Sequence, residues 1–296
     1  MKKNEHIWDE SKPSRLNVAF VYSKRIVRWR RNSLPFLTGD LFADMADINV
    51  YPPRFRGTMP DIHRIREAKV IFCPSHKLQT FLDEFGSEIN AKVLLAGNSD
   101  HEFHTLPVDI PRSVRHLFLQ NSFISDFSLV STLPIGIENI RWGVNGHPNL
   151  MKKKKSWSDR QNKVLVGPFG LTHPDRVTLP KVFEGNKDIF LVKERMSPKS
   201  YSLLMNDFRY VAAVRGNGVD THRFWESLYR GAIPIVGTNS WSTSLHSLNL
   251  PFVEIYKWEP EYLHNVIANT TKAEFCPAKI EELWWPYWKR RIGSYL

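Results

Sequence analysis

The stretch Phe208 to Val236, FRYVAAVRGNGVDTHRFWESLYRGAIPIV, carries polar residues at spacings that suit an anionic ligand. Arg215-Gly216-Asn217-Gly218 follows the apolar run Tyr210 to Val214. Two glycines this close together mark a tight loop. Asp220 or Thr221 then supplies an N-cap for a helix expected from about Thr221 to Arg230. The first turn of such a helix presents unpaired N–H groups and partial positive charge, which favour a phosphate. Arg215 and Arg223 add cations of bidentate shape. Glu226 offers only acceptors and could grip the two hydroxyls of a ribose. The competing reading is an ordinary strand-to-helix turn with Glu226 and Arg223 as a solvated pair.

These residues need a strand, a helix and a second strand around them. Tyr210 to Val214 and Ile233 to Val236 are short apolar runs, and Gly231 ends the helix between them. Phe224 and Leu228 share one helix face, and His222 and Glu226 another. Strand, glycine loop, helix and strand together make a unit of a parallel sheet with a crevice at the strand's carboxyl end. The same alternation runs through the whole chain. Leu16 to Tyr22, Ala68 to Cys73, Lys92 to Ala96 and Val114 to Leu119 are expected strands of the first half, with a helix over Lys77 to Phe85. Lys163 to Val166 and Asp188 to Val192 begin the second, and Lys193 and Arg195 follow its second strand. Residues 141 to 161, with Gly143, Gly146, Pro148 and a lysine run, read as the linker. Arg160 falls within it, so its substitution should matter little.

RGNGVDTHRFWESLYRGAIPIV resembles the signature of exostosin-like glycosyltransferases and, more loosely, the nucleotide-binding block of fucosyltransferase-type enzymes. Weaker echoes are Asn98-Ser99-Asp100, Leu119-Gln120-Asn121 and Leu133 to Asn139. The resemblance implies an α/β fold of the GT-B type, with two Rossmann-like domains facing across a cleft and a C-terminal helix returning to the N-terminal domain. It places an acceptor-side domain at residues 1–145 and a nucleotide-sugar domain at 160–296. It further implies that Glu226 contacts the ribose of the sugar donor and that Arg215 and the glycine loop lie near its diphosphate.

The expected reaction is transfer of a sugar from a nucleotide-sugar to a glycan, polysaccharide or lipopolysaccharide-type acceptor. The chain has no Asp-x-Asp pair, so no metal site is expected, and cations would assist the departing diphosphate. Lys193, Arg195, Arg215 and Arg223 are the candidates, with Gly216, Asn217, Gly218, Thr221, His222 and Glu226 completing the expected sugar-donor site. Gly218 stands where a Glu-x7-Glu pattern would need its first acid, which leans toward inversion. Inversion needs a base for the acceptor hydroxyl, and Asp100 and Glu138 are the catalytic candidates. Each could equally be a turn or cap residue.

Net charge is +11, which allows an anionic acceptor, an anionic membrane face or nucleic acid. No nucleic-acid motif is present, so no nucleic-acid partner is expected. A Rossmann-type nucleotide- or nucleic-acid-binding protein without glycosyl transfer is the alternative. The dinucleotide fingerprint is incomplete, and no cofactor is expected, the nucleotide-sugar being a substrate. Two cysteines, Cys73 and Cys276, give neither a disulfide framework nor a metal pattern. No signal-peptide core and no long apolar run is seen. A cytoplasmic enzyme is expected, with peripheral contact at the inner membrane face allowed by its basic segments.

Overall fold

The computed structural model describes residues 33–51, 61–140, 148–151, 154–269 and 275–296. The expected strand Leu16 to Tyr22, the basic cluster Lys24 to Arg31 and both glycines of the expected linker lie outside the described residues.

Two separate parallel sheets of five strands make up the architecture. The first half runs α1 (Gly39–Met45), β1 (Ile48–Asn49), α2 (Ile62–Glu67), β2 (Val70–Pro74), α3 (Leu78–Phe85), β3 (Val93–Gly97), β4 (His116–Leu119) and β5 (Val130–Thr132). Its strands lie side by side in chain order. The second half runs β6 (Gln161–Val166), α4 (Pro174–Val182), β7 (Ile189–Leu191), α5 (Pro198–Met205), β8 (Phe208–Ala212), α6 (His222–Arg230), β9 (Ile233–Gly237), α7 (Ser240–Ser244), β10 (Val253–Ile255), α8 (Pro260–Asn269) and α9 (Trp285–Gly293). Its spatial order is β10-β9-β8-β6-β7.

The order of the second sheet places a topological switch between β6 and β8. The chain leaves β6 toward one edge, at β7, and then returns to β8 and the other edge. Connections after β6 and β8 therefore diverge to opposite faces, and a crevice opens at the carboxyl ends of those two strands. Both strands are buried where they enter it, with Val164 to Val166 and Val211 to Ala212 fully covered. Continuous apolar runs of this kind are what a parallel sheet covered on both faces requires.

α6 joins the two halves. Its inward face, Phe224, Trp225 and Leu228, is fully buried. Those side chains share one core with Phe42, Val93 and Phe118 of the first half. Tyr229 accepts at its Oη from Leu37 N at 3.1 Å and donates to Leu283 O at 2.7 Å. Gly231 closes α6 at φ +76°, a left-handed turn that a residue with Cβ adopts only at a cost.

The last helix, α9, lies against the first half. Phe42 meets Trp285 and Trp288 edge-on at 5.4 and 5.9 Å, and Tyr295 stacks on His116 at 4.0 Å. Arg291 Nη2 donates to Ser131 Oγ at 3.1 Å. Much of the tryptophan of this segment is therefore core or interface. Among the described residues no helix is long and apolar enough to cross a membrane.

One expectation is overturned here. Arg160 is not a solvated linker residue but is 4% exposed. It donates to Arg230 O at 2.6 Å, Phe208 O at 3.2 Å and Lys155 O at 3.1 Å. It closes the carboxyl end of α6, where exposed carbonyls favour a cation.

Candidate active site

The loop from Ala213 to Thr221 joins β8 to α6 and crosses to the first half. Thr221 caps α6 by accepting at Oγ1 from Phe224 N. Asp220 N donates to Asn121 Oδ1 at 2.9 Å. The Asp220 carboxylate accepts from Ile135 N at 2.8 Å and from Trp225 Nε1 at 2.8 Å. Asn217 Nδ2 donates to Asp100 Oδ2 at 3.0 Å, and Arg215 Nη2 to Glu102 Oε1 at 2.5 Å. His222 Nδ1 lies 2.8 Å from Gly136 O. The carbonyl can only accept, so Nδ1 carries a proton. The three short first-half stretches around Asn98, Asn121 and Gly136 thus converge on this one loop.

Two glycines make the approach possible. A Cβ on Gly218 would lie 2.6 Å from Asn121 Nδ2, and one on Gly216 would lie 3.1–3.2 Å from the Arg176 guanidinium. The first would push the loop from Asn121, and the second would crowd the Arg176 guanidinium.

Beneath the loop is a cavity of about 330 Å³. Asp100 and Ile135 line it from the first half, Thr172 and Arg176 from the segment after β6, Tyr201 from α5, and Gly216 to Gly218, His222, Arg223 and Glu226 from the loop and α6. This is the switch-point crevice, with the amino end of α6 opening into it. Glu226 accepts no hydrogen bond from the described residues, and burial pushes its carboxyl above the usual range, against the pull of His222 and Arg223. Burial likewise raises Asp100, against the bond from Asn217.

Two cations face the same space. Arg223 Nη2 donates to Pro168 O at 2.7 Å, while its Nη1 is buried without a partner among the described residues. Such a group costs free energy unless something accepts from it. Its guanidinium stands over Phe169 and Tyr201 at 5.1 and 4.9 Å. Arg176 donates to Val214 O at 2.7 Å and Thr172 Oγ1 at 3.1 Å, and burial lowers it to about 10.

The expected site residues do not all meet. Asp100, Gly216, Asn217, Gly218, Thr221, His222, Arg223 and Glu226 line the cavity. Arg215 is turned away, held by Glu102. Lys193 is exposed and paired with Glu184, and Arg195 is exposed. Neither lines the cavity, because β7 is an edge strand whose carboxyl end lies outside the β6–β8 crevice. Glu138 is 6% exposed and raises the Glu226 carboxyl, but it does not line the cavity. Among the described residues no group of three or more His, Cys, Asp or Glu side chains could hold a metal. Thr172, Arg176, Tyr201, Ser202 and Asp220 also line the cavity and were not among the expected site residues. Arg176 had a signal: His173 and Pro174 are an N-cap and first-turn proline ahead of it, and His173 does cap α4 by accepting from Asp175 N.

Asp220 is the buried hinge pin of this arrangement, and burial pushes its carboxyl up to about 7. Asp220→Asn leaves either Ile135 N or Trp225 Nε1 facing an amide that cannot accept. A loss of about 1–3 kcal/mol at pH 5 is expected in urea unfolding. The folded-state value lies above that of the unfolded chain, so the folded protein holds the extra proton between about pH 4 and 7. Stability from this group is therefore complete below about pH 4 and falls as pH rises to about 7. The gap between wild type and variant should narrow over that window; a gap that widens would show the carboxyl ionised throughout.

No family model matches the chain, and no curated protein matches it. Among solved structures it is similar to the crystal structure of AviGT4, a glycosyltransferase involved in avilamycin A biosynthesis. The two share 10% identity at a TM-score of 0.37, over 76% of this chain and 83% of that one, a likeness too slight to bear on activity.

Proposed function

We propose that the protein is a GT-B-type glycosyltransferase that moves a sugar from a nucleotide-sugar to a glycan or lipid-linked acceptor, with inversion and without a metal. The sheet-two half is read as the nucleotide-sugar domain and the sheet-one half as the acceptor side. The observation that carries the reading is the cavity at the β6–β8 crevice, where a helix terminus, two arginines and an acid with no bonded partner converge.

In this reading Glu226 accepts from the ribose hydroxyls. Arg223, Arg176 and the amino end of α6 receive the diphosphate. Asp100 faces them from the other half. It takes the proton of the acceptor hydroxyl as the acceptor oxygen bonds to the sugar's anomeric carbon. The bond from that carbon to the phosphate oxygen breaks, and its electron pair leaves on the diphosphate, where the cations hold it. Burial raises Asp100 toward the range in which a carboxylate is an effective base. Arg215 serves here by fixing the loop to Glu102 rather than by touching phosphate.

A thermal-shift panel of UDP-, GDP- and CMP-sugars tests the assignment. One of them should raise the melting temperature, since ligand at 100 times its Kd adds about 2.7 kcal/mol to the folded state. No shift with any nucleotide-sugar would sink it. Turnover with the sugar donor so found is expected to persist in excess EDTA; loss in EDTA with recovery on Mn²⁺ would contradict metal independence.

A further inference from the structure

The loop between β6 and α4 meets both arginines of the cavity. Pro168 O accepts from Arg223 Nη2 at 2.7 Å, and Thr172 Oγ1 accepts from Arg176 Nη1 at 3.1 Å. Between them Phe169 offers its ring to both. The Arg223 Cζ stands 5.1 Å and the Arg176 Cζ 5.7 Å from its centroid. From the other side Val214 O accepts from Arg176 Nε at 3.2 Å, and the Tyr201 ring lies 4.9 Å from the Arg223 Cζ.

Carbonyls, a hydroxyl and aromatic faces therefore hold these two guanidiniums. Among the described residues no carboxylate is in ion-pair contact with either. Neutral acceptors and ring faces orient a guanidinium but leave its charge uncancelled. Both arginines are half-buried and line the same cavity. Their charges oppose each other: burial lowers Arg176 to about 10, and Arg223 presses it in the same direction. Both stay charged at neutral pH. Like charges in a partly desolvated place are unfavourable, and an anion charged at two neighbouring centres relieves them better than one with a single centre. Phe169 also packs against the core of the second half. Leucine would serve that packing, but it has no π face for two cations.

We propose that Phe169 is a positioning residue, whose ring holds Arg176 and Arg223 as a two-cation receiver that selects a diphosphate over a single phosphate. The inference rests on the nucleotide-sugar reading of this cavity. It narrows the sugar donor to a nucleoside diphosphate sugar, and it sets aside donors that carry one phosphate.

Calorimetric titration of wild type, Phe169→Leu and Phe169→Tyr tests it. The ligands are inorganic pyrophosphate and the di- and monophosphates of uridine, guanosine, cytidine and adenosine. Wild type should bind its preferred nucleoside diphosphate roughly tenfold or more tighter than the matching monophosphate, a difference of about 1.4 kcal/mol. Phe169→Leu should lose roughly tenfold for that diphosphate and for pyrophosphate, while the monophosphate changes less than about threefold. Phe169→Tyr keeps the ring face and should restore the wild-type preference. Unchanged diphosphate affinity in Phe169→Leu overturns the assignment of Phe169 and leaves the donor reading standing. So does an equal loss for di- and monophosphate, the mark of a ring that only supports the fold. A wild type that binds both alike overturns the two-cation receiver whether or not the variants fold. Failure of wild type to bind any of these nucleotides removes the donor reading, and the role of Phe169 with it.

Discussion

Arg160→Gln is expected to destabilise the fold by about 3 kcal/mol, the largest stability loss in this account. Arg160 is buried and supplies the hydrogen bonds of three backbone carbonyls: Lys155 O, Phe208 O and Arg230 O. Glutamine is shorter and carries one amide in place of the five N–H donors of the guanidinium. It cannot reach all three, so at least one buried carbonyl is left bare, at about 1–3 kcal/mol each. Arg230 O belongs to the last turn of α6, so the charge lost is also the one that offsets the helix's negative end. In urea the midpoint should fall with little change in slope. Arg160→Lys keeps the charge without the fork and should fall between. A glutamine variant within about 0.5 kcal/mol of wild type would mean that the guanidinium is replaceable by solvent.

Glu226→Gln is expected to weaken nucleotide-sugar binding tenfold or more without lowering the melting temperature. A carboxylate accepting from both ribose hydroxyls makes charge-assisted bonds of about 1.5–3 kcal/mol each, and the amide turns one acceptor into a donor. The fold should not suffer, because the buried face of α6 is Phe224, Trp225 and Leu228. Burial holds the Glu226 carboxyl above its unfolded value, so its contribution to stability falls as pH rises from the ordinary carboxylate range through the raised one. The variant should therefore gain on wild type as pH increases. Donor affinity equal to wild type would make Glu226 a buried acid with another purpose.

The contrast between these two residues shows what the sequence made legible. The place of Glu226 on the cavity wall was readable because helical spacing separates it from Phe224 and Leu228 and because glycines precede the helix. That is local information, and the helix, its Thr221 cap and its Gly231 stop are all where that information puts them. Arg160 was misread because two of its three partners lie 48 and 70 residues away, and nothing local distinguishes a buried arginine from a linker one. Arg215 is similar in kind: its strand-end position was legible, but Glu102, 113 residues earlier, pairs with its guanidinium. Arg176 was hidden because the carbonyl that holds its guanidinium, Val214 O, lies 38 residues away, although Pro174 at the first turn of α4 was legible. Lys193 and Arg195 were placed by strand ends alone. Strand order, which no local pattern carries, sets β7 at the edge and leaves them outside.

The claim on which the rest depends is that the donor nucleotide sits in the β6–β8 crevice at the amino end of α6. Hydrogen exchange followed by mass spectrometry tests it most directly, with the nucleotide-sugar that raises the melting temperature furthest held at saturation. Amides of the loop and first turns of α6, residues 214 to 226, and of α5, residues 198 to 205, should become protected, while β10 and α8 stay unchanged. Full ligand saturation with no added protection in 214 to 226 would contradict the site, wherever else the protection appeared.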